Sequence, residues 1–439
     1  MMAASYIPFS FAGSVCLLIL LTVRWRVPAF LALLVTSYFA GICFGMPFQK
    51  ILSLISEGFG STLGDIGLTI AIGALLGSMM ESCGATTIIA NGIIRSLGGK
   101  FPGIAMALTG YIVSIPIYCD SGFIILDSVR KNFAKKHNVS PIFLSTILGC
   151  ALYATHTLVP PTPGPLAAIV NFKLVDQIAF ILPLSLLFSL LAVFASFCWA
   201  EVFRHKVIKL AVKDAPASIP QHSFSFALAM LPIVIPMALI TTGGLSSHFS
   251  GPEWVTFVGH PVTALLIGLL SCVPLVLASN VRESINTHLQ KGLETGGRIV
   301  LVVGCGGAFS YILRHSGLAD RVTDIPGVMQ LGLFFPFLIA ALIKTAEGSA
   351  TVALITASSI VEPLLHSLGL DSTTGRFLAL FSCGAGAMAV AHVNDSFFWV
   401  IAEFTGMDTA TALKSITVAT FIQGVTLFAF VQLAGLWVL

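Results

Sequence analysis

The sequence predicts an all-α polytopic membrane protein with two inverted repeats, each with about five crossings, one re-entrant hairpin and one broken helix. Hydrophobic residues make up 56% of the 439 positions and charged residues only 9%, whereas about a quarter of a soluble domain is charged. Apolar runs of roughly 20 residues, the length that crosses a bilayer, recur along the chain. Two of these runs break at a histidine, His156 and His392, about half a chain apart, as expected of a structural repeat.

The apolar runs define the elements of each repeat. We predict a first repeat over residues 1–203, a cytoplasmic linker over 204–223 and a second repeat over 224–439. Full membrane spans are predicted at 7–23, 28–46, 63–80, 178–203, 224–241, 258–278, 297–313 and 412–438.

The first run is predicted to be a spanning helix rather than a signal peptide. No basic residue precedes it, and Arg24 and Arg26 follow it. This charge order places the C-terminal end of the helix in the cytoplasm and the N-terminus outside.

Two apolar segments are interrupted by polar residues in a way that predicts re-entrant hairpins. Residues 102–133 are interrupted at Cys119–Gly122, and residues 333–365 are interrupted at Lys344–Ser349. With hairpins here, each repeat has an odd number of crossings, so the second repeat is inverted relative to the first.

Two further segments are predicted to be broken helices. Residues 142–172 contain His156 followed by a proline-rich stretch, and residues 374–404 contain His392 followed by Val-Asn-Asp-Ser. A polar break at hydrocarbon depth is expensive unless it lines a cavity. The two breaks therefore indicate a central site near the membrane midplane.

The distribution of basic residues agrees with this topology. The predicted cytoplasmic side receives most of them, among them Arg24, Arg95, Arg130 and Lys136. Few fall outside, where we place Lys173, Arg314 and Arg376. This is the positive-inside bias of a membrane protein, and both chain termini are then periplasmic.

Polar residues at the four interruptions are candidates for substrate binding. A helix that begins at a break presents free backbone N–H groups and a positive dipole end, which suit a small carboxylate. Hydroxyl and amide side chains add donors for substrate hydroxyls, and glycines allow close approach of the backbone. Isolated Gly-Pro breaks also occur as simple kinks, and Ser or Thr also bonds neighbouring helices. The predicted substrate-binding residues are Ser121, Gly122, Thr157, Gly164, Gly348, Ser349, Thr351, Asn394 and Ser396.

Titratable residues at the same depth are candidates for proton coupling, because their burial in a membrane is costly. Glu347 has an alternative role as an ion-pair partner of Lys344, and Asp395 as the N-cap of the helix that restarts at Ser396. A buried histidine is otherwise often a satisfied core residue. The predicted proton-coupling residues are Asp120, His156, Glu347, His392 and Asp395.

Four motifs of this sequence resemble the gluconate permease (GntP) family. They are His156–Pro165 with Leu166 to Ala168, Gly304–Phe309, Glu347–Ala353 and His392–Trp399. The resemblance implies proton-coupled uptake of gluconate, related sugar acids or, in some members, D-serine across the bacterial inner membrane. It also implies kinship with the ion-transporter superfamily.

Two positions depart from the family pattern and bear on the substrate. Thr162 stands where family members often have histidine, and Cys119 where an aromatic residue is common. These departures make a shorter hydroxy acid, such as glycerate, a competitor of gluconate.

The predicted function is that of a secondary active transporter for a small hydroxylated carboxylate, driven by protons. A D-serine symporter and a cation antiporter of the same superfamily remain as alternatives. An intramembrane hydrolase would need a motif such as Gly-x-Ser-x-Gly or His-Glu-x-x-His, and neither occurs. The absence of an ATP-binding Gly-x-x-x-x-Gly-Lys-[Ser/Thr] loop and of zinc-type cysteine spacing predicts no enzyme activity, cofactor or metal.

The predicted partners are the carboxylate, protons and the lipid bilayer. Basic residues are scattered among short loops, so we expect no nucleic-acid binding. A homodimer is compatible with a transporter that has a large scaffold.

Overall fold

The computed structural model describes residues 7–97, 100–205, 224–279, 285–318 and 328–438. Within these ranges the chain forms helices and connecting turns, and no strand occurs among them. Most of the predicted linker, residues 206–223, lies outside the described residues.

The described residues of the first half of the chain form nine α-helices. A π-helical segment, Leu20–Arg24, follows the first of them, and 3₁₀ turns at Val175–Gln177 and Glu201–Phe203 flank the last. The helices are α1 Ile7–Ile19, α2 Ala29–Cys43, α3 Phe48–Ser82, α4 Ala85–Leu97, α5 Pro102–Val113, α6 Cys119–His137, α7 Pro141–Leu158, α8 Pro163–Asn171 and α9 Ile178–Ala200.

The second half forms twelve α-helices among its described residues. A 3₁₀ turn, Glu362–Leu364, follows α17, and a π-helical segment, Leu413–Thr417, precedes α21. The helices are α10 Phe226–His248, α11 Glu253–Gly259, α12 Pro261–Leu270, α13 Val273–Ala278, α14 Ile285–Arg314, α15 Val328–Leu331, α16 Phe334–Glu347, α17 Ala350–Val361, α18 Thr373–Met388, α19 Ser396–Thr405, α20 Thr409–Ala412 and α21 Val418–Val438.

The protein is an all-α polytopic membrane protein. Seven helical segments of the described chain are long and apolar enough to cross a membrane. They are Phe48–Ser82, Pro141–Asn171, Val175–Phe203, Phe226–His248, Pro261–Ala278, Ile285–Arg314 and Thr409–Val438. The predicted spans at 7–23 and 28–46 correspond to shorter apolar helices, Phe9–Thr22 and Ala29–Cys43.

Two helices are much longer than the spans predicted within them. The span at 63–80 is part of α3, which has 35 residues, and the span at 297–313 is part of α14, which has 30. The two helices run antiparallel, because Gly58 lies against Gly307 while the Ser78 hydroxyl donates to the His288 carbonyl (2.7 Å). A Cβ at Gly58 would lie 2.7 Å from the Gly307 oxygen, so the crossing requires small residues.

The first broken helix occupies the centre of the molecule. Its most apolar 18-residue window is 100% buried, whereas the corresponding window of Phe226–His248 is 33% buried. Helix α7 packs between α5 and α9, and α18 packs between α16 and α21. The segments around α7 therefore form the core, and helices such as α10 present a broad face to lipid.

Prolines and hydroxyl or carboxylate caps determine where the core helices begin. Pro102, Pro141 and Pro163 stand in the first turn of α5, α7 and α8, where the missing N–H is not needed. Ser349 and Asp395 cap α17 and α19 by accepting backbone N–H groups. These starts leave short non-helical breaks inside apolar sequence.

The breaks of one half pack against helices of the other half. Helix α6 contacts α19, and α8 contacts α17. The second contact contains a buried amide: Asn171 Nδ2 donates to Ser358 Oγ (2.8 Å) and Ser359 Oγ (3.0 Å). The four interruptions are therefore brought together in the middle of the fold.

Candidate functional site

A cavity of about 940 Å³ lies where the interrupted segments meet. Residues from α3, α6, α7, α14, α17 and the break before α19 line it. Of the predicted site residues it receives eight: Asp120, Ser121, His156, Gly348, Ser349, Thr351, Asp395 and Ser396. The cavity thus brings residues from all four interruptions into one space.

The first interruption is displaced from its predicted position. The non-helical residues are Ser114–Tyr118, and Cys119 to Gly122 form the first turn of α6. The predicted break at Cys119–Gly122 is wrong because Tyr118 has an extended backbone and the helix starts directly after it. Asp120 and Ser121 therefore enter the cavity from a helix N-terminus, while Gly122 is buried against Leu152 of α7.

His156 lies in the last turn of α7 and reaches the second hairpin segment. Its Nε2 is 3.2 Å from Thr351 Oγ1, and its ring lies 5.5 Å from the ring of Tyr118. His156 Nδ1 and the Tyr118 hydroxyl are buried and have no hydrogen-bond partner within the described residues. Both are polar atoms available to a bound ligand.

Two other predicted binding residues of the first broken helix lie behind the cavity surface. Thr157 is 2% exposed, and Gly164 packs against the backbone of Thr351, where a Cβ on the glycine would lie 3.4 Å from Thr351 Cα. The break itself, Val159–Thr162, follows His156 by three residues. Gly164 therefore allows α8 to approach α17 rather than a ligand.

The turn between α16 and α17 is tightly held. Gly348 adopts a left-handed conformation (φ +84°) and its carbonyl accepts from Lys344 Nζ at 2.7 Å. The Ser349 hydroxyl accepts the N–H of Val352 at 3.3 Å. Lys344, predicted at a hairpin tip, is instead fully buried in α16 and forms an ion pair with Asp395. Glu347, whose predicted alternative partner was Lys344, ends α16 outside the cavity lining.

Residues of the second histidine break lie in two different environments. Asp395 and Ser396 line the cavity, whereas His392 and Asn394 attach the break to α16. His392 Nε2 donates to the Thr345 carbonyl at 3.0 Å, and its Nδ1 accepts the Asn394 N–H at 3.2 Å. The Asn394 side chain donates to the Ala346 carbonyl. These two residues therefore hold the break in place and lie outside the cavity lining.

Three helix N-termini converge on the cavity. Asp120 and Ser121 lie in the first turn of α6, Ser349 and Thr351 at the start of α17, and Ser396 at the start of α19. Helix N-termini carry positive dipole ends and free N–H groups, which favour an anion. Hydroxyl groups at each terminus add donors and acceptors for further polar groups of the same ligand.

Some cavity residues were not singled out from the sequence. Tyr153 of α7 lies below Lys344, whose Nζ is 5.6 Å from the ring centre. Lys291 and Arg298, on one face of α14, and Glu81 of α3 are exposed residues of the cavity lining, and they mark the mouth of the cavity. The spacing of seven residues between Lys291 and Arg298 was the available signal, because residues seven apart share a helix face.

The described residues contain no group of three His, Cys, Asp or Glu side chains placed to hold a metal ion. The lining instead combines helix N-termini, hydroxyl groups, the carboxyl group of Asp120 and the ion-paired Asp395. This set can bind a small polar anion.

The sequence matches the family described as GntP family permease over residues 8–437. The chain belongs to the GntP permease family. It is 31% identical to the gluconate permease of Pseudomonas aeruginosa over 434 residues, which cover 95% of each chain. It is also 31% identical to the D-serine transporter of Escherichia coli over 441 residues, which cover 97% of this chain and 96% of the relative.

The fold of this GntP-family permease is similar to that of another transporter. The structure of the YdaH transporter of Alcanivorax borkumensis matches it with a TM-score of 0.65 over 89% of both chains, at 14% sequence identity. Family and relatives are permeases, so the chain is a multi-pass membrane transporter of a small molecule and not an enzyme.

Proposed function

We propose that this permease is a proton-coupled secondary transporter that takes up a small hydroxylated carboxylate, gluconate or a related sugar acid, across the bacterial inner membrane. The observation that carries the proposal is the convergence of three hydroxyl-bearing helix N-termini on one cavity. The termini bind the carboxylate, and Ser121, Ser349, Thr351 and Ser396 bind the hydroxyls.

D-serine is the second candidate substrate, and a specific feature favours it. Its ammonium group needs an acceptor, and Asp120 Oδ1 is a buried oxygen with no partner within the described residues. A relative of equal identity is named as a D-serine transporter. A cation antiporter is less well supported, because converging positive helix ends repel a cation.

Packing between helices supports the two proposed repeats. Helix α5 packs on α7 as α16 packs on α18, and α7 packs on α9 as α18 packs on α21. Between the halves, α3 pairs with α14, and the α6–α19 contact corresponds to the α8–α17 contact. In this scheme α5–α6 and α16–α17 are the two re-entrant hairpins.

Polar contacts at the ends of the core helices support the proposed membrane sides. Arg130 Nη2 donates to the Phe404 carbonyl at 3.5 Å, and we place both residues on the cytoplasmic side. Glu362 pairs with Lys173 (3.4 Å) and Arg314 (2.5 Å), and all three fall on the outer side. Each of these contacts therefore joins residues that the proposed topology places on the same side of the membrane. The cavity mouth at Lys291 then opens to the cytoplasm, and both chain termini are periplasmic.

Uptake into proteoliposomes tests the proposal. We expect labelled gluconate, glycerate or D-serine to accumulate when the outside is made acidic, and no accumulation with a sodium gradient alone. A ligand that binds the folded state should also raise the melting temperature of the purified protein. Uptake that follows sodium and ignores pH would contradict the proton coupling. Failure to transport any of the three acids would contradict the substrate class.

A further inference from the structure

Lys344 links two of the helix N-termini that face the cavity. Its ammonium group is 0% exposed, donates to the Gly348 carbonyl (2.7 Å) before α17, and pairs with Asp395, the N-cap of α19. A buried lysine is costly unless it is paired and hydrogen-bonded. These bonds therefore hold the start of α17 and the start of α19 in one arrangement.

Both oxygens of Asp395 are engaged by donors. Oδ1 accepts the Phe397 N–H at 2.8 Å, and Oδ2 accepts from Lys344. Each carboxylate oxygen of Asp395 therefore already accepts a hydrogen bond. Asp395 thus has Lys344 as a fixed ion-pair partner.

Asp120 has the opposite environment. Its Oδ1 is buried and has no partner in the described part of the chain, and the residue lines the cavity. Its charged neighbours are Asp395 and Lys344. With all three groups ionised, two carboxylates share one ammonium, and an anionic substrate entering beside them is repelled. A proton on Asp120 Oδ1 makes the three-residue group neutral.

The other titratable residues around this group are less suited to carry the proton. Tyr118, Cys119 and Tyr153 line the same wall and are neutral at physiological pH. His156 contacts a hydroxyl, Thr351 Oγ1, and no carboxylate within the described residues. An imidazolium there would have no counter-ion.

The remaining two candidates are placed away from the cavity surface. Both ring nitrogens of His392 are already used, one as donor to Thr345 and one as acceptor from Asn394. Glu347 lies outside the cavity lining. Of the five sequence-predicted candidates, Asp120 alone combines access to the cavity with an unpartnered carboxylate oxygen.

We propose that Asp120 carries the cotransported proton, and that Lys344 is a positioning residue that pairs with Asp395 and holds the two helix N-termini in register for the substrate carboxylate. The proton comes from water in the cavity, binds the Asp120 carboxylate when the substrate binds, and returns to water on the other side. This inference rests on the proposed function, because it assigns residues to its coupling step.

Exchange and accumulation in proteoliposomes separate the two roles. In wild-type vesicles a pH gradient of one unit should drive about ten-fold accumulation of gluconate for one proton carried. We expect Asp120→Asn to exchange labelled for unlabelled gluconate at a rate independent of pH, and to lose the pH-driven accumulation. Asp395→Asn should lose exchange as well, since it leaves the Lys344 ammonium unpaired.

A charge-neutral double variant tests the positioning role. Lys344→Met leaves Asp395 unpaired and should abolish exchange, whereas Lys344→Met combined with Asp395→Asn should restore part of it. Gel filtration and the melting temperature identify variants that fail to fold. A lysine that only stabilises the fold would lower the melting temperature of Lys344→Met, but the folded part of that variant would bind gluconate with wild-type affinity in a calorimetric titration.

Two outcomes would overturn the inference. Asp120→Asn vesicles that still accumulate gluconate ten-fold would show that another group carries the proton. Equal rates of gluconate exchange by Lys344→Met and the wild type would show that Lys344 does not position the site. Wild-type vesicles that exchange none of gluconate, glycerate and D-serine would instead contradict the proposed function itself, and this inference with it.

Discussion

Gly348 combines an unusual backbone conformation with a close contact. Its φ is +84°, and a Cβ at this position would collide with the carbonyl oxygen of Asn394. Gly369 has a similar φ of +69° but open space around it. A comparison of alanine variants at the two glycines therefore separates the effect of backbone strain from that of steric collision, and Gly348 is the one that faces the proposed substrate.

Replacement of Gly348 by alanine should impair both folding and transport. The left-handed conformation costs about 1–2 kcal/mol for a residue with a Cβ, and the collision adds to this at Gly348 alone. We expect Gly348→Ala to lower the melting temperature more than Gly369→Ala and to abolish uptake, which Gly369→Ala retains. Equal melting temperatures for the two variants would show that the turn at Gly348 and the break at Asn394 can move apart to accommodate the added methyl group.

The hydroxyl of Thr351 is expected to orient His156. Thr351→Val keeps the shape of the side chain and removes the 3.2 Å contact to Nε2. A single hydrogen bond contributes about 0.5–1.5 kcal/mol, so the affinity for gluconate should fall about 2- to 10-fold in a calorimetric titration. Thr155→Val is the control, since the buried Thr155 hydroxyl has no partner among the described residues. An equal loss of affinity in both variants would show that removing any buried hydroxyl near His156 weakens binding, and that the contact with Thr351 has no specific role.

At the scale of residues, the sequence predicted which segments meet at the cavity better than it predicted which side chains face the cavity. Asp120, His156 and Asp395 were singled out because polar groups at membrane depth are costly, and all three line the cavity. Asn394 was selected for the same reason and bonds the Ala346 carbonyl outside the lining. A break has no helical periodicity, so its sequence does not show which side chains face inward.

At the scale of elements, a buried arginine that pairs with Asp127 attaches α6 to neighbouring core segments. Arg130 is 1% exposed and donates to Asp127 Oδ1 at 2.5 Å. It also donates to carbonyls of Pro141 (3.4 Å) and Phe404 (3.5 Å), which begin α7 and end α19. One guanidinium therefore connects three core segments of the two halves.

Loss of this guanidinium should destabilise the protein strongly. Breaking a buried pair costs about 3–5 kcal/mol, whereas an exposed pair contributes about 0–1 kcal/mol. Arg204 is a matched control, because it pairs with Glu201 at the same i, i+3 spacing but is 40% exposed. We expect Arg130→Met to lower the melting temperature in detergent by several degrees more than Arg204→Met. Asp127→Asn added to Arg130→Met should recover little of the loss, because Asp127 keeps Lys131 as an ion-pair partner at 2.7 Å.

The positions of the breaks were predictable where a cluster of prolines marks them and less so where polar residues of the following helix stand next to the break. The break at Val159–Thr162 lies within the predicted proline-rich stretch, since proline prevents helix continuation. The break at Ser114–Tyr118 is apolar in sequence apart from its first residue and a tyrosine, so the polar residues just after it were mistaken for the interruption. A first helical turn and a non-helical break can contain the same polar residue types, so composition alone does not distinguish them.

At the scale of the whole molecule, helices of one half pack against helices of the other. The antiparallel α3 and α14 both line the cavity, and their exposed residues Glu81 and Lys291 mark its mouth. Hydropathy and charge were sufficient to predict a polytopic transporter because the bilayer restricts the chain to helices. The extension of α3 and α14 beyond their apolar spans was not predictable, since those extensions are polar enough to resemble loops.

The proposed orientation predicts which side of the membrane reaches the cavity. Thr295 of α14 lines the mouth beside Lys291, and we place it on the cytoplasmic side; His366, with an 85% exposed side chain, belongs to the outer side. In a variant whose nine native cysteines are replaced, Thr295→Cys should react with a membrane-impermeant maleimide in inverted vesicles and not in intact cells.

The second position provides the control in the same background. His366→Cys should show the reverse pattern, reacting in intact cells and not in sealed inverted vesicles, because a charged reagent does not cross the hydrocarbon core. The positive-inside bias predicts this result, and the ion pairs of Glu362 place Lys173 and Arg314 on the same side as each other. Labelling of His366→Cys only from the cytoplasmic side would invert the whole topology. In that case the cavity of this conformation would open to the periplasm.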